Sequence, residues 1–442
     1  MIVMKFGGSS VASAQCIQRV ALIIQKHASK KPVVILSAMG DTTDHLLEAA
    51  DNAVKGNVDI SKIENLHYET ATSLGVAKEP IEALLVELKA LLTGISMLKE
   101  LTKRTRDYLV SFGERLSVRM MAEYLVKEKY PAQFYDAWDI GFISDSKFTN
   151  AELLDEVWDA IPAALNDYKC GKQKEIPVVT GFIAKDTKGH ITTLGRGGSD
   201  LSATIVGAAM KAEEVQTWKD VDGILTADPR IVTDAKNVPI VTYDEAAELA
   251  YFGAQVLHPR AMYPVKKTGT PVRVKNSYNI EHPGSLIVAK HSIKPLPVRA
   301  ISMVKDIQII DIVSTRMLGS SGFLAHIFTV FLKWKISIDV IATSEVSVSL
   351  TVAGNEDIQG LLKDLNGIAT CSVQKDKAIV TIICDAAHSS AIVGEGLLAL
   401  AKTGVNPDII SQGASKVNIS IVCDMKNVNN CVKTLHKAYF NK

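Results

Sequence analysis

Short apolar runs rich in β-branched and aromatic residues alternate with stretches of helical period through the first 290 residues, and few architectures accommodate that pattern. The runs include "VVILS" (33–37), "AQFYDA" (132–137), "IPVVTGFIA" (176–184), "EVQTW" (214–218) and "PVRVK" (271–275). Between them, Ile81, Leu84, Leu85, Leu88, Leu91, Leu92 and Ile95 recur at the spacing that places them on one helical face. Thr242, with Glu245 three residues on, marks a capping box before the helix "AAELAYFG". The alternation predicts an α/β fold: an open, mostly parallel sheet sandwiched by helices, because each parallel crossover lays a helix over one face. In such sheets ligands gather beyond the carboxyl ends of the strands.

The pattern changes after "HPGSLI" (282–287), and the proline-bearing stretch "KHSIKPLPVRA" (290–300) reads as a linker. Beyond it the chain repeats itself. "ISIDVIATSEVSVSLTV" (336–352) returns as "VNPDIISQGASKVNISIVC" (405–423), with Gln412-Gly413 inserted in the second copy. A helix precedes each, "GFLAHIFTVF" (322–331) and "GLLALAKTG" (396–404), and Asp339 corresponds to Asp408. Each copy reads strand–helix–strand–strand–helix–strand, a ferredoxin-like βαββαβ module. The expected organisation is therefore a first domain over 1–290, a linker over 291–304, and modules over 305–375 and 376–442.

A formal charge of +1 over 442 residues gives no global attraction to nucleic acid or to an anionic membrane surface. No apolar run approaches the roughly 18–20 residues of a membrane span. Ile2-Val3-Met4 reads at once as a strand, so no leader is expected, and the cytoplasm is the expected compartment. The six cysteines, Cys16, Cys170, Cys371, Cys384, Cys423 and Cys431, form no C-x-x-C pair, which fits idle thiols in a reducing compartment. No protein-built metal site is expected.

Four glycine-centred loops carry the chemistry. "MKFGGSS" (4–10) sets Lys5 before Gly7, Gly8 and Ser9, without the spacing of a P-loop; alone such a glycine pair is more often just a tight strand-to-helix turn. "LSAMGDTTD" (36–44) follows a strand and ends in hydroxyls. In "TLGRGGSD" (193–200), Gly197 and Gly198 let backbone N–H groups approach an anion at a helix start, and Arg196 can grip a carboxylate or phosphate bidentately. "WKDVDGILTADPR" (218–230) adds Lys219 and Arg230. In "SFGER" (111–115) a mid-helix glycine, worth about 1 kcal/mol against alanine, signals a close approach beside Glu114. No general base stands out, since only His45 touches these loops, at the edge of one. A carboxylate nucleophile is ionised at neutral pH and needs none, so the inventory suits phosphoryl transfer to a carboxylate.

From "KFGGSSVA" through "LSAMGDTTD", "SFGERLS", "TLGRGGSD", "WKDVDGILTADPR" and "FGAQVLHP" to "STRMLGSSGFLA" and "TSEVSVSL", the chain resembles the aspartokinases, amino acid kinases followed by two ACT regulatory modules. The resemblance implies ATP-dependent phosphorylation of L-aspartate at its β-carboxylate, the first step toward lysine, threonine and methionine. It implies Mg2+ held mainly through nucleotide phosphates. Lys5 then neutralises the transferred group, Asp200 orients it, and Arg196, Glu114, Thr43, Ser199, Phe182 and Ser37 surround aspartate. Gly7, Gly8, Ser9, Gly197, Gly198, Lys219, Asp220, Leu225, Arg230, Gln255 and Val256 match nucleotide-binding positions. The pairing of Lys219 with Gln255 is similar to plant-type, lysine-sensitive members, and suggests that Lys219 supplies a phosphate charge that Gln255 does not. Met317, Ser320, Gly322, Phe323, Leu324, Asp339, Ser344 and Glu345 match an effector site, with lysine the first candidate and threonine open. The ACT modules imply a homo-oligomer, a dimer or a dimer of dimers. Two alternatives stay open on the sequence: a glutamate or N-acetylglutamate kinase, and a catalytically silent amino-acid sensor.

Overall fold

The computed structural model describes residues 1–253, 257–291, 296–314, 322–385, 388–413 and 417–441. The chain forms two compact units, one of Met1–Ile224, Pro239–Tyr243 and Val256–His291, the other of Leu225–Val238, Asp244–Gln255 and Ser292–Lys442.

The first unit is built on an eight-stranded sheet. Its spatial order is Ala132–Tyr135, Ile176–Thr180, Pro32–Leu36, Ile2–Phe6, Glu214–Lys219, Val272–Asn276, Ser285–Val288 and Ile240–Thr242. Only the pairing of Val272–Asn276 with Ser285–Val288 is antiparallel. Every residue of Ile2–Phe6, Pro32–Leu36 and Ile176–Thr180 is buried, as a sheet covered on both faces requires. Phe6 and Trp218 are register partners on adjacent strands and stack at 5.9 Å. The expected helix runs Glu79–Leu98 and buries Ile81, Leu84, Leu85, Leu88, Leu92 and Ile95.

The second unit carries a six-stranded antiparallel sheet, ordered Ile341–Thr343, Ser347–Ala353, Val298–Val313, Thr370–Cys384, Asn418–Asp424 and Ile409–Ser411. Two of these strands are long enough to serve both modules. Residues Ile307–Val313 and Thr370–Gln374 belong with the helices Phe323–Trp334 and Gln359–Leu365, around a core of Ile310, Ile327, Phe331, Leu350 and Leu361. Residues Val298–Lys305 and Ala378–Cys384 belong with the helices Ser389–Lys402 and Val428–Phe440, around Ile301, Val380, Leu400, Ile421 and Leu435.

This differs from the expectation of a linker over 291–304. From Val298 on, those residues form a strand, and it supplies the fourth strand of the second module, whose own chain ends in a helix. Pro295 and Pro297 read as linker signals, yet Val298, Ala300 and Ile301 just beyond them bury their side chains against Ala378–Cys384. Helix Tyr243–Tyr251 forms where expected, but Glu245 also meets Arg299 at 3.1 Å, both side chains buried in the second unit.

Candidate active site

The parallel strands of the first unit deliver their functional residues at their carboxyl ends. Lys5 is the penultimate residue of Ile2–Phe6, in register with Ile35 and Thr217. Ser37 follows Pro32–Leu36, Phe182 follows Ile176–Thr180, and Lys219 ends Glu214–Lys219. A lysine at 8% exposure inside a fully buried strand needs a partner. Lys5 Nζ lies 2.7 Å from Asp200 Oδ1, in the first turn of helix Gly198–Ala209. Burial pushes the Asp200 carboxyl up, but the charges of Lys5 and Lys219 outweigh it and hold the group below its ordinary range. Lys219 is pulled down by its own burial, with Asp200 opposing and Lys5 adding repulsion. Lys5, Asp200 and Lys219 thus form one charge cluster.

A cavity of about 650 Å3 opens at this cluster. Lys5, Ser37, Thr43, Glu114, Phe182, Arg196, Gly197, Gly198, Ser199 and Asp200 all line it. Glu114 sits on helix Lys103–Lys127, where the backbone N–H of Ala38 donates to its Oε1 at 3.2 Å. Its Oε2 is buried without a hydrogen-bond partner. Burial raises its pKa to about 8, against the smaller pull of Ala38 and Lys5. Gly113 explains itself: a Cβ there would stand 2.7 Å from Ala38 Cβ, so the helix backbone packs directly against the Ala38 side chain. Arg196 is exposed on the cavity rim, in a loop whose flanking Gly195 and Gly197 both have φ of +73°. A Cβ on Gly197 would meet the side chain of His258 at 2.2 Å, so only a glycine lets the histidine pack there. Gly8 faces the Ala38 carbonyl with room for no Cβ, and Gly7 stands beside Lys5 Nζ.

Other expected residues are not among those that line this cavity. Leu225 pairs with Asn237, and Arg230 forms a fork with Asp228 at 2.7–3.2 Å, both in the second unit. Gln255, Val256, Met317 and Ser320 lie outside the described residues. Ser9 lies in the 3-10 turn Gly8–Val11, and Asp220 directly follows Lys219. In the second unit, Gly322 has φ of +90° and caps the helix that begins with Phe323 and Leu324. Ser344 bonds Ser347 at 2.7 Å in a tight turn that also holds Glu345. Asp339 accepts the Tyr251 hydroxyl at 2.8 Å beside a second cavity of about 350 Å3, and burial pushes its carboxyl up.

The sequence left several site residues unread. Lys103, Arg106, Asp107, Thr149 and Thr193 also line the main cavity, the first three on the helix that carries Glu114. The backbone N–H of His258 donates to Asp200.

An open parallel sheet with buried cations and a glycine-flanked helix start at its strand ends is the arrangement of an amino acid kinase, and the sequence profile of the amino acid kinase family matches residues 1–276. An ACT domain profile matches residues 389–439. Aspartokinase 2, chloroplastic, of Arabidopsis thaliana is 47% identical over 99% of this chain and 84% of its own length. Lysine-sensitive aspartokinase 3 of Escherichia coli is 31% identical over 100% of this chain and 99% of its own. The crystal structure of E. coli aspartokinase III in complex with aspartate and ADP superposes with a TM-score of 0.84 at 30% identity, covering 100% of both chains. The chain belongs to the aspartokinases, and its activity is that of an aspartate kinase.

Proposed function

We propose that the main cavity transfers the γ-phosphoryl group of ATP to the β-carboxylate of L-aspartate, giving 4-phospho-L-aspartate and ADP. The observation that carries this assignment of roles is the unpartnered Oε2 of Glu114 in the same cavity as Arg196 and the Lys5–Asp200 pair. Glu114 accepts the α-ammonium, Arg196 takes the α-carboxylate, and Thr43, Ser37, Ser199 and Phe182 close the sides. The β-carboxylate then faces Lys5. It is ionised at neutral pH, so alignment and charge suffice and no base is needed. Lys5 stabilises the negative charge on the transferring group, and Asp200 keeps the Lys5 ammonium in place. Lys219 supports the nucleotide phosphates from the adjacent strand, with Gly7, Gly8, Ser9 and Asp220 around them.

Among the described residues no cluster of three or more His, Cys, Asp or Glu side chains forms a metal cage. Mg2+ would be carried mainly by the nucleotide's phosphate oxygens, with Asp200 the carboxylate at hand, and when bound it would neutralise phosphate charge. Among the described residues no helix is long and apolar enough to cross a membrane. We assign the enzyme to the cytoplasm on the sequence reading alone. We assign residues 1–290 to catalysis, and the two modules to regulation and to assembly as a homo-oligomer.

The effector reading centres on Asp339. The E. coli aspartokinase III structure in complex with lysine and aspartate is similar to this chain at a TM-score of 0.81 and 30% identity. An effector ammonium at Asp339 would replace the Tyr251 hydroxyl, and L-lysine is the first candidate. Asp339→Ala is expected to abolish inhibition by lysine in steady-state assays while basal turnover stays within about twofold, since an effector acts only through its differential affinity for two states. Unchanged sensitivity would remove Asp339 from the site.

The reaction is tested by hydroxylamine trapping with Mg-ATP and aspartate, glutamate or N-acetylglutamate in parallel. Aspartyl hydroxamate from aspartate supports the assignment. Product from another acid alone, or ADP from none, replaces it with the superfamily rival or with a silent sensor.

A further inference from the structure

We propose that Asp107 is a positioning residue that fixes the span between Glu114 and Arg196, and with it the preference for aspartate over glutamate, its homologue with one more methylene. The inference rests on the substrate-binding roles proposed for Glu114 and Arg196.

Asp107 stands seven residues before Glu114 on helix Lys103–Lys127, two turns away on the same face. It is 1% exposed and borders the cavity. Its Oδ2 accepts the backbone N–H groups of Thr149 at 2.8 Å and Thr193 at 3.0 Å, and its Oδ1 accepts the Thr193 hydroxyl at 2.9 Å. Thr193 ends the strand Ile191–Thr193, and Arg196 lies three residues beyond. The other side of this segment is held by Arg260, whose Nη1 donates to the Leu194 carbonyl at 3.0 Å and to Asn150 Oδ1 at 2.8 Å. The root of the Arg196 loop is thus fastened on both flanks, and one fastening is the helix that carries Glu114. Charge-assisted hydrogen bonds to a buried carboxylate are short and stiff, which suits a ruler. The ruler matters because one methylene alone gives only about 10- to 200-fold discrimination, and a site that yields by part of a bond length forfeits it.

The test compares kcat/KM for aspartate and glutamate in the full-length enzyme and in Asp107→Ala, Asp107→Asn and Thr193→Val. Asp107→Ala is expected to lower the aspartate-to-glutamate ratio about tenfold or more, through KM for aspartate, with KM for ATP within about twofold of wild type. Asp107→Asn keeps an oxygen for the two N–H groups and an amide donor for the Thr193 hydroxyl, so its ratio stays near wild type. Thr193→Val removes one bond only, and lowers the ratio less in the same direction. An unchanged ratio in Asp107→Ala, or in soluble Thr193→Val should Asp107→Ala not fold, overturns the inference. So does a parallel rise in KM for ATP, or a loss in Asp107→Asn as large as in Asp107→Ala. Wild-type enzyme that phosphorylates neither amino acid overturns the underlying roles as well, and is seen before any variant is made.

Discussion

Glu114 shows how burial sets a binding group's working range. With its pKa raised to about 8, the free enzyme holds this carboxyl largely protonated at neutral pH. The protonated form cannot pair with an ammonium, so aspartate binding expels a proton. KM for aspartate is expected to fall about tenfold per unit as pH rises from 6 toward 8, then to level off. Glu114→Gln should bind aspartate weakly and flatten the profile; initial rates against pH decide it. The same shift has a stability sign. The folded state holds this proton more tightly than the unfolded chain, so the group's favourable contribution is present below its ordinary pKa of 4.5 and is lost as pH rises through about 8. At this scale the sequence was legible where a residue sits in a motif: Lys5, Glu114, Arg196, Ser199 and Asp200 all line the cavity. It was silent on Asp107, because a carboxylate that accepts backbone N–H groups from residues 42 and 86 positions away leaves no local pattern. Arg230 was legible as a cation but not as one engaged by Asp228 two residues before it.

Helix Lys103–Lys127 is the element that most directly couples packing to chemistry. It reads poorly as an amphipathic helix, because it is buried on nearly all sides: Leu109, Val110, Phe112, Leu116, Val118, Met120 and Met121 leave little polar face. Its glycine was the legible signal. Gly113→Ala should gain about 1 kcal/mol of helix propensity. The new Cβ would nevertheless stand 2.7 Å from Ala38 Cβ, well inside contact distance, and would displace the loop whose Ala38 N–H holds Glu114. The expected outcome is a melting temperature below wild type, because overpacking against buried Ala38 costs about 1–3 kcal/mol and outweighs the propensity gain, together with a KM for aspartate raised about 10- to 100-fold. Calorimetry and steady-state kinetics on one preparation check both halves. Strands were legible from their β-branched runs, as in Pro32–Leu36 against 33–37, although "IPVVTGFIA" divides after Thr180, and Ile183–Asp186 joins a different sheet. The strand beginning at Val298 was not, since Pro295 and Pro297 punctuate its start and its partner lies some 80 residues downstream.

Over the whole molecule, the alternation and the internal repeat were both legible, whereas the way the two modules share strands was not. A duplicated βαββαβ pattern predicts two self-contained sheets, yet Val298–Val313 and Thr370–Cys384 each run through both modules. A fragment beginning at residue 305 would lack Val298, Ala300 and Ile301, and would leave the Ala378–Cys384 strand with an open apolar edge. Such a fragment is expected to aggregate more readily than one beginning at 296, which closes that edge although it leaves buried Arg299 without Glu245; size-exclusion chromatography and circular dichroism separate the two.

That interlacing also constrains how the gene can change. Because the stretch that completes the C-terminal module is encoded ahead of its neighbour, no contiguous piece of coding sequence specifies that module alone. Recombination cannot swap it as a cassette or lose it cleanly. The pair must be inherited together, and a new regulatory specificity has to arise by point changes within a paired architecture, not by exchange of parts.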